Sequence, residues 1–175
     1  EGRPIFALML LGVIIEGICE DYASGTVERT EGRSETGRRA EVCASAMRLS
    51  KREVNFVARL CGCREQVKKL VTRGAVSRLD IHKFYRDVGD VGVERCIVEL
   101  ARGRRMECDG DKANNLSYEE SRLLDVLGAY FLKHEEVVAP GLMLDGDDVM
   151  RVLKIGPGPI VGVALQMLAE AQVGG

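Results

Sequence analysis

The chain has 175 residues, 46% of them apolar and 30% charged, with no Trp. A chain of this length buries roughly two-thirds of the surface its unfolded form exposes, so it needs neither disulfides nor a metal to fold, and its apolar content excludes disorder of the whole chain. The formal charge of -2 conceals an uneven distribution, with Arg and Lys gathered between Arg33 and Arg105 and clusters of Asp and Glu in the last third; a net charge this small says little about partners.

In chain order, the first signal is the run FALMLLGVII, Phe6 to Ile15. It falls far short of the ~20 apolar residues that cross a bilayer, and Glu16, Glu20 and Asp21 close it, so it reads as a buried helix and no membrane partner is expected. A signal peptide is disfavoured, since one basic residue, Arg3, precedes the run and no small-x-small cleavage site follows. Residue 1 is Glu rather than Met, which fits a chain that begins inside a longer gene product.

Four helix starts follow, each with a Ser or Asp that can accept an N–H and an acid three residues on that returns the bond: Ser50 with Glu53, Ser77 with Asp80, Ser117 with Glu120, and Asp145 with Asp148. Each precedes apolar residues at three-four spacing. These are Val54, Val57, Ala58 and Cys61; Ile81, Phe84, Tyr85 and Val88; Leu123, Leu124, Leu127, Tyr130 and Phe131; and Val149, Val152 and Leu153. No stretch alternates with a period of two between turn residues, so the fold class is all-α, a multi-helix array with a small helical tail. Polar connections are expected at 24–33, 73–76, 89–92, 109–115 and 140–146. The Pro140-Gly141 break divides the expected organisation into a helical body, 1–139, and a tail subdomain, 140–175.

The six cysteines, at 19, 43, 61, 63, 96 and 108, form no paired C-x-x-C arrangement, so zinc is not expected and most read as small apolar core residues in a reducing compartment. Cys61 and Cys63 stand two apart, where helical neighbours diverge. The stretch ECDGDKANN, 107–115, lacks the full register of an EF-hand loop and reads as a connection.

No catalytic or metal-ligating residue is assigned. His82 and His134 belong to no H-E-x-x-H motif and read as surface or boundary histidines, and the serines lack a G-x-S-x-G elbow. The pairs Glu119-Glu120, Glu135-Glu136 and Asp147-Asp148 are adjacent, so their side chains diverge on a helix; they read as solvated faces and first-turn acids. The corner GPGP, Gly156 to Pro159, follows no strand and lacks the P-loop pattern, and its prolines remove N–H donors, which favours a structural turn over a phosphate site. Beyond it, Ile160, Leu165 and Leu168 are expected to pack back on the face of Val149, Val152 and Leu153.

The segment GDDVMRVLKIGPGPIVGVALQMLAEAQVGG, Gly146 to Gly175, resembles the C-terminal segment of the bacterial tRNA nucleotidyltransferase and poly(A) polymerase family, in which a Gly-Asp-Asp helix start, a Pro-Gly-Pro corner and a Glu-Ala-Gln helix end recur in that order. RRAEVCASAMRLSKREVNFVARL, Arg38 to Leu60, is similar to that family's helix pair joined by an Arg-Leu-Ser turn, and LDIHKFYRDVGDVGVERCIVELARGR, Leu79 to Arg104, to the pair that follows. The resemblance covers nearly the whole chain, most weakly between 106 and 140. It implies an all-helical neck, body and tail that grip RNA, a tRNA or an RNA 3′ end, in the cytoplasm. An N-terminal head of the same parent protein would add nucleotides, for CCA or poly(A) addition, with Mg and nucleoside triphosphates. That head, in which Gly-Gly and Asp-x-Asp signatures serve metal-dependent transfer, is absent from these 175 residues, so the chain alone is expected to need no cofactor and to catalyse nothing. Gly12-Val13 stands where many relatives carry His-Asp, and Ser34-Glu35 where His-Glu often opens the next helix.

The RNA-binding candidates are Arg38, Arg39, Arg52, Arg59, Arg64, Lys68, Lys69 and Arg73, with Arg48 and Lys51 on the same track. Arg52, Arg59, Arg64, Lys68 and Lys69 fall mostly off the stripe of Val54, Val57, Cys61, Val67 and Leu70, so folding alone gives no reason for their charge. Aromatic residues for base stacking are scarce, so contact is expected with backbone and shape. The competing reading is a helical protein-interaction or regulatory module without an RNA role.

Overall fold

A computed structural model describes residues 4–22, 34–106 and 116–175. Among them there is no strand, and the chain is an array of α-helices. The expected connections at 24–33 and 109–115, and the ECDGDKANN stretch, lie outside the described residues.

Helix α1, Ile5–Tyr22, packs on an antiparallel pair, α2 (Glu35–Ala46) and α3 (Lys51–Gly62). The tight turn between α2 and α3 runs through Arg48, whose φ of 57° lies in the left-handed region. The two backbones approach closely at Gly37. A Cβ there would lie 2.9 Å from the Ala58 carbonyl oxygen and 3.1 Å from the Gly62 Cα. Leu8, Ile15, Ala40, Ala44, Val54, Val57 and Cys61 fill this first core.

The expected single helix through 52–70 is instead broken at Cys63. Its second half is α4, Arg64–Thr72, which leads into a second core shared with α5 (Arg78–Val88), α6 (Gly92–Met106) and α7 (Tyr118–Leu132). Between α5 and α6 the 89–92 connection is a 3₁₀ turn, Gly89–Val91, entered at Gly89 with a φ of 71°. Phe84, Tyr85, Val91, Cys96 and Val126 lie in this core, and Phe56 packs against both cores. All four expected capping boxes form, each with both reciprocal bonds. One such cap contributes about 1 kcal/mol, so together they fix where the helices begin.

Several side chains are not where sequence alone put them. His82 is buried and its Nδ1 lies 3.0 Å from the Val137 carbonyl in the π-helical turn His134–Val138, so it fastens α5 to that turn. Glu120 is buried rather than solvated, because it closes the Ser117 cap. Helix α8, Gly146–Leu153, does turn back on α9, Pro159–Gly174, but through Val149 and Val161. Ile160 and Val152 are 66% and 70% exposed. The left-handed residue of the corner is Lys154 (φ 55°), whereas Gly158 is extended at φ 174°.

Helix α9 docks on α5, and Val173 reaches the second core. Glu170 receives Arg86 and Lys83 of α5, the latter at 3.1 Å, and the Gln172 Nε2 donates to the Gly141 carbonyl at 2.8 Å.

Candidate nucleic-acid interface

The cations expected to contact RNA divide according to what surrounds each guanidinium or ammonium. Arg38 and Arg39 both turn to Glu35 one helical turn back, at 3.0 Å each. This is the spacing at which helical neighbours meet. The two arginines hold the Glu35 carboxyl below its ordinary value. Lys68 pairs with Glu65 at 3.6 Å, again within one turn. Such exposed pairs are weak, in the range of about 0–1 kcal/mol, and leave the cations open to exchange for another anion.

Arg59 and Arg64 are placed differently. Arg59 reaches from α3 to the α5–α6 junction, where Nη1 lies 2.7 Å from Asp90 and Nη2 donates to the Val88 carbonyl at 2.7 Å. Its Nη2 lies 2.6 Å from where a Gly89 side chain would begin, so the turn and the arginine fit each other. Arg64, 19% exposed at its side chain, turns inward towards Glu99. Burial and the neighbouring Arg102 lower its pKa, against the pull of Glu16 and Glu99. Arg64 thereby leaves the surface track that its spacing suggests, whereas Arg59 stays half exposed in its pairing with Asp90.

That inward cluster is an ionic junction between the two cores. Arg95 bonds Glu16 and Glu99, and Arg102 Nη2 lies 2.7 Å from the other Glu16 oxygen. Sequence reading missed it because its members lie on α1, α4 and α6, far apart in the chain, and nothing local distinguishes them from surface charges.

Exposed cations without a carboxylate at ion-pair distance, among the described residues, include Arg48, Lys51 and Arg52 at the start of α3, Lys69 and Arg73 at the end of α4, and also Arg78, Lys133 and Lys154. Lys69 and Arg73 line a groove of about 390 Å³ between α4 and α5. A second groove, of about 450 Å³, lies where α2 and α3 meet α5 and presents Glu41, Asn55, Arg59 and Asp87.

No nucleophile is activated in these grooves. Cys61 and Cys63 diverge, the first to the Gly12 carbonyl and the second to that of Leu60. Burial pushes the Cys63 thiol up to about 11 and that of Cys96 up to about 12. Among the described residues no group of three or more His, Cys, Asp or Glu is placed to hold a metal ion, and no helix is long and apolar enough to cross a membrane. No family model, curated protein or solved structure matches the chain.

Proposed function

We propose that this chain is the non-catalytic, RNA-holding helical region of a protein of the tRNA nucleotidyltransferase and poly(A) polymerase type, positioning an RNA 3′ end for a head that carries the chemistry. The observation that supports it is the tail. The three linked elements of the resemblance each have a structural task in one folded unit: the Asp145–Asp148 box starts α8, the Pro157–Pro159 corner reverses the chain, and Glu170 and Gln172 fasten α9 to the body. RNA would meet the cations at the start of α3 and at the end of α4 through phosphates. Titration with tRNA at several salt concentrations tests the reading: affinity must fall steeply as salt rises, by a slope close to one unit of log affinity per phosphate contacted. No binding at low salt overturns it. Incubated with tRNA, Mg and labelled ATP, the chain is expected to leave the RNA unlabelled.

A second reading, a helical module that binds a protein partner, is favoured by one feature. Helix α1 buries Leu8 and Ile15 but leaves Phe6, Leu10, Ile14 and Ile18 exposed at four-residue intervals. A continuous apolar stripe of this kind is the side of a helix that other proteins recognise. Under this reading Leu10→Lys abolishes partner capture and salt leaves it unchanged, whereas RNA affinity does not respond to Leu10 at all.

A further inference from the structure

The groove between α4 and α5 gathers Lys69 and Arg73 on one wall and Asp80, Lys83 and Asp87 on the other, over the buried ring of Phe84. Its two carboxylates already have partners. Asp80 accepts the Ser77 hydroxyl at 2.6 Å and the Ser77 N–H at 3.1 Å, and these bonds hold its carboxyl below the ordinary value. Asp87 lies 3.0 Å from Arg86 Nε. Lys83 reaches Glu170 at 3.1 Å at the far edge.

Lys69 and Arg73 make no such direct contact: neither has a hydrogen bond or a carboxylate at ion-pair distance among the described residues, and the charge of Arg73 acts on Asp80 only across the groove. They stand four residues apart at the end of α4, on one side of the helix. A cation near a helix C-terminus is favoured by the terminal carbonyls, which accounts for one charge there but not for two facing an open groove. Two cations without an ion pair, with the Glu170-bound Lys83 across the gap, form a site for a tetrahedral dianion or a phosphodiester. The flanking acids restrict it to an anion that enters from the α4 side.

We propose that this groove holds a backbone phosphate of RNA, with Lys69 and Arg73 as its direct contacts and Lys83 as a charge on the opposite wall. The assignment rests on the RNA-holding reading and narrows it to one place on the surface. It sets Arg64, turned inward towards Glu99, outside the contact.

The test uses the full chain and compares wild type, Lys69→Ala/Arg73→Ala, and Lys133→Ala/Arg151→Ala. The last removes the same charge from α7 and α8. Each is titrated with tRNA at several salt concentrations, with circular dichroism as a check on helix content. The groove variant is expected to bind about tenfold or more weakly at low salt, with the slope of log affinity against log salt reduced by about 1.5, while the control keeps the wild-type slope. If wild type binds tRNA and the groove variant binds with the same slope, the groove is not the contact, although the RNA-holding reading survives. If wild type does not bind, that reading falls and this one with it. A further arm adds inorganic phosphate at matched ionic strength. Displacement of tRNA from wild type by phosphate beyond the salt effect, absent in the groove variant, is expected; displacement that is equal in both proteins overturns the assignment to this groove.

Discussion

Glu16 of α1 and Arg95 of α6 form an ion pair in which both side chains are 1% exposed. The pair is buried where the two cores meet, and Arg95 also lies 3.4 Å from the Leu60 carbonyl. Burial works against the Arg95 charge, but Glu16 and Glu99 outweigh it and hold its pKa above the ordinary value. Removing Arg95 leaves the buried Glu16 with Arg102 as its remaining partner, so the loss should fall below the ~3–5 kcal/mol of stranding a buried ion, whereas removing Glu16 as well takes away the charge that burial penalises. Urea unfolding of Arg95→Met should therefore show a larger loss than that of Glu16→Leu/Arg95→Met. The opposite order would mean that the network is open to water.

Gly37 and Gly62 face each other across α2 and α3, yet they should respond differently to the same substitution. Gly37→Ala places a methyl group 2.9 Å from a carbonyl oxygen that cannot move independently of α3. The resulting overpacking costs about 1–3 kcal/mol. At Gly62 the nearest atom is 3.5 Å away, an ordinary contact, so Gly62→Ala should be close to neutral. Melting temperatures of the two variants check this, and equal losses would refute it.

Acid should release the tail. Glu170 is held at about 2 instead of 4.5, first by the Gln166 amide and then by Arg86 and Lys83. A depressed pKa means that the contribution is complete above 4.5 and is lost as pH falls towards 2. Protection of α9 amides, corrected for intrinsic exchange, should fall over that window relative to α7. In Glu170→Gln it should be lower from the start and lack this acid step. An identical acid profile in both proteins would show that α9 is held by Val173 and its neighbours instead.

The corner preceding α9 carries its left-handed residue on Lys154, not on a glycine. An L-residue there costs about 1–2 kcal/mol, part of which a glycine returns through unfolded-state entropy, so Lys154→Gly should stabilise by up to about 1 kcal/mol. Gly156→Ala should be tolerated, because no atom lies within 4 Å of the added Cβ. Calorimetry separates these outcomes. A loss at Lys154→Gly would mean that its side chain supplies something beyond the turn.

The four helix starts were legible because a capping box is written within four residues, and the Ser50, Ser77, Ser117 and Asp145 boxes all form. The Arg48-Leu49-Ser50 turn between α2 and α3 was expected from the resemblance, and only its end, the Ser50 box, was written locally. What decides the fate of an arginine is not local. Arg59 meets Val88 and Asp90 some thirty residues on, and Arg64 meets Glu99, so a plot of charge along one helix counts both as surface. The break at Cys63 rotates Arg64 inward and ends the single stripe on which that plot depended. At the other end of the chain, α9 turns Val161 rather than Ile160 inward, because docking on α8 and α5 and not local spacing selects the buried face.

The Glu16–Arg95 pair also bears on the order in which the molecule assembles. Its members are separated by 79 positions, whereas the α2–α3 pair closes through a turn of four residues. Closing a short loop costs less chain entropy than closing a long one, so the helical hairpin can form in the transition state while the ionic junction is still open. Arg95 is then a late contact. Its loss should quicken unfolding and leave the folding rate nearly unchanged, so that the junction governs how long the native state lasts rather than how fast it is reached. Stopped-flow chevrons of Arg95→Met and wild type that differ in the folding limb would place the junction in the nucleus.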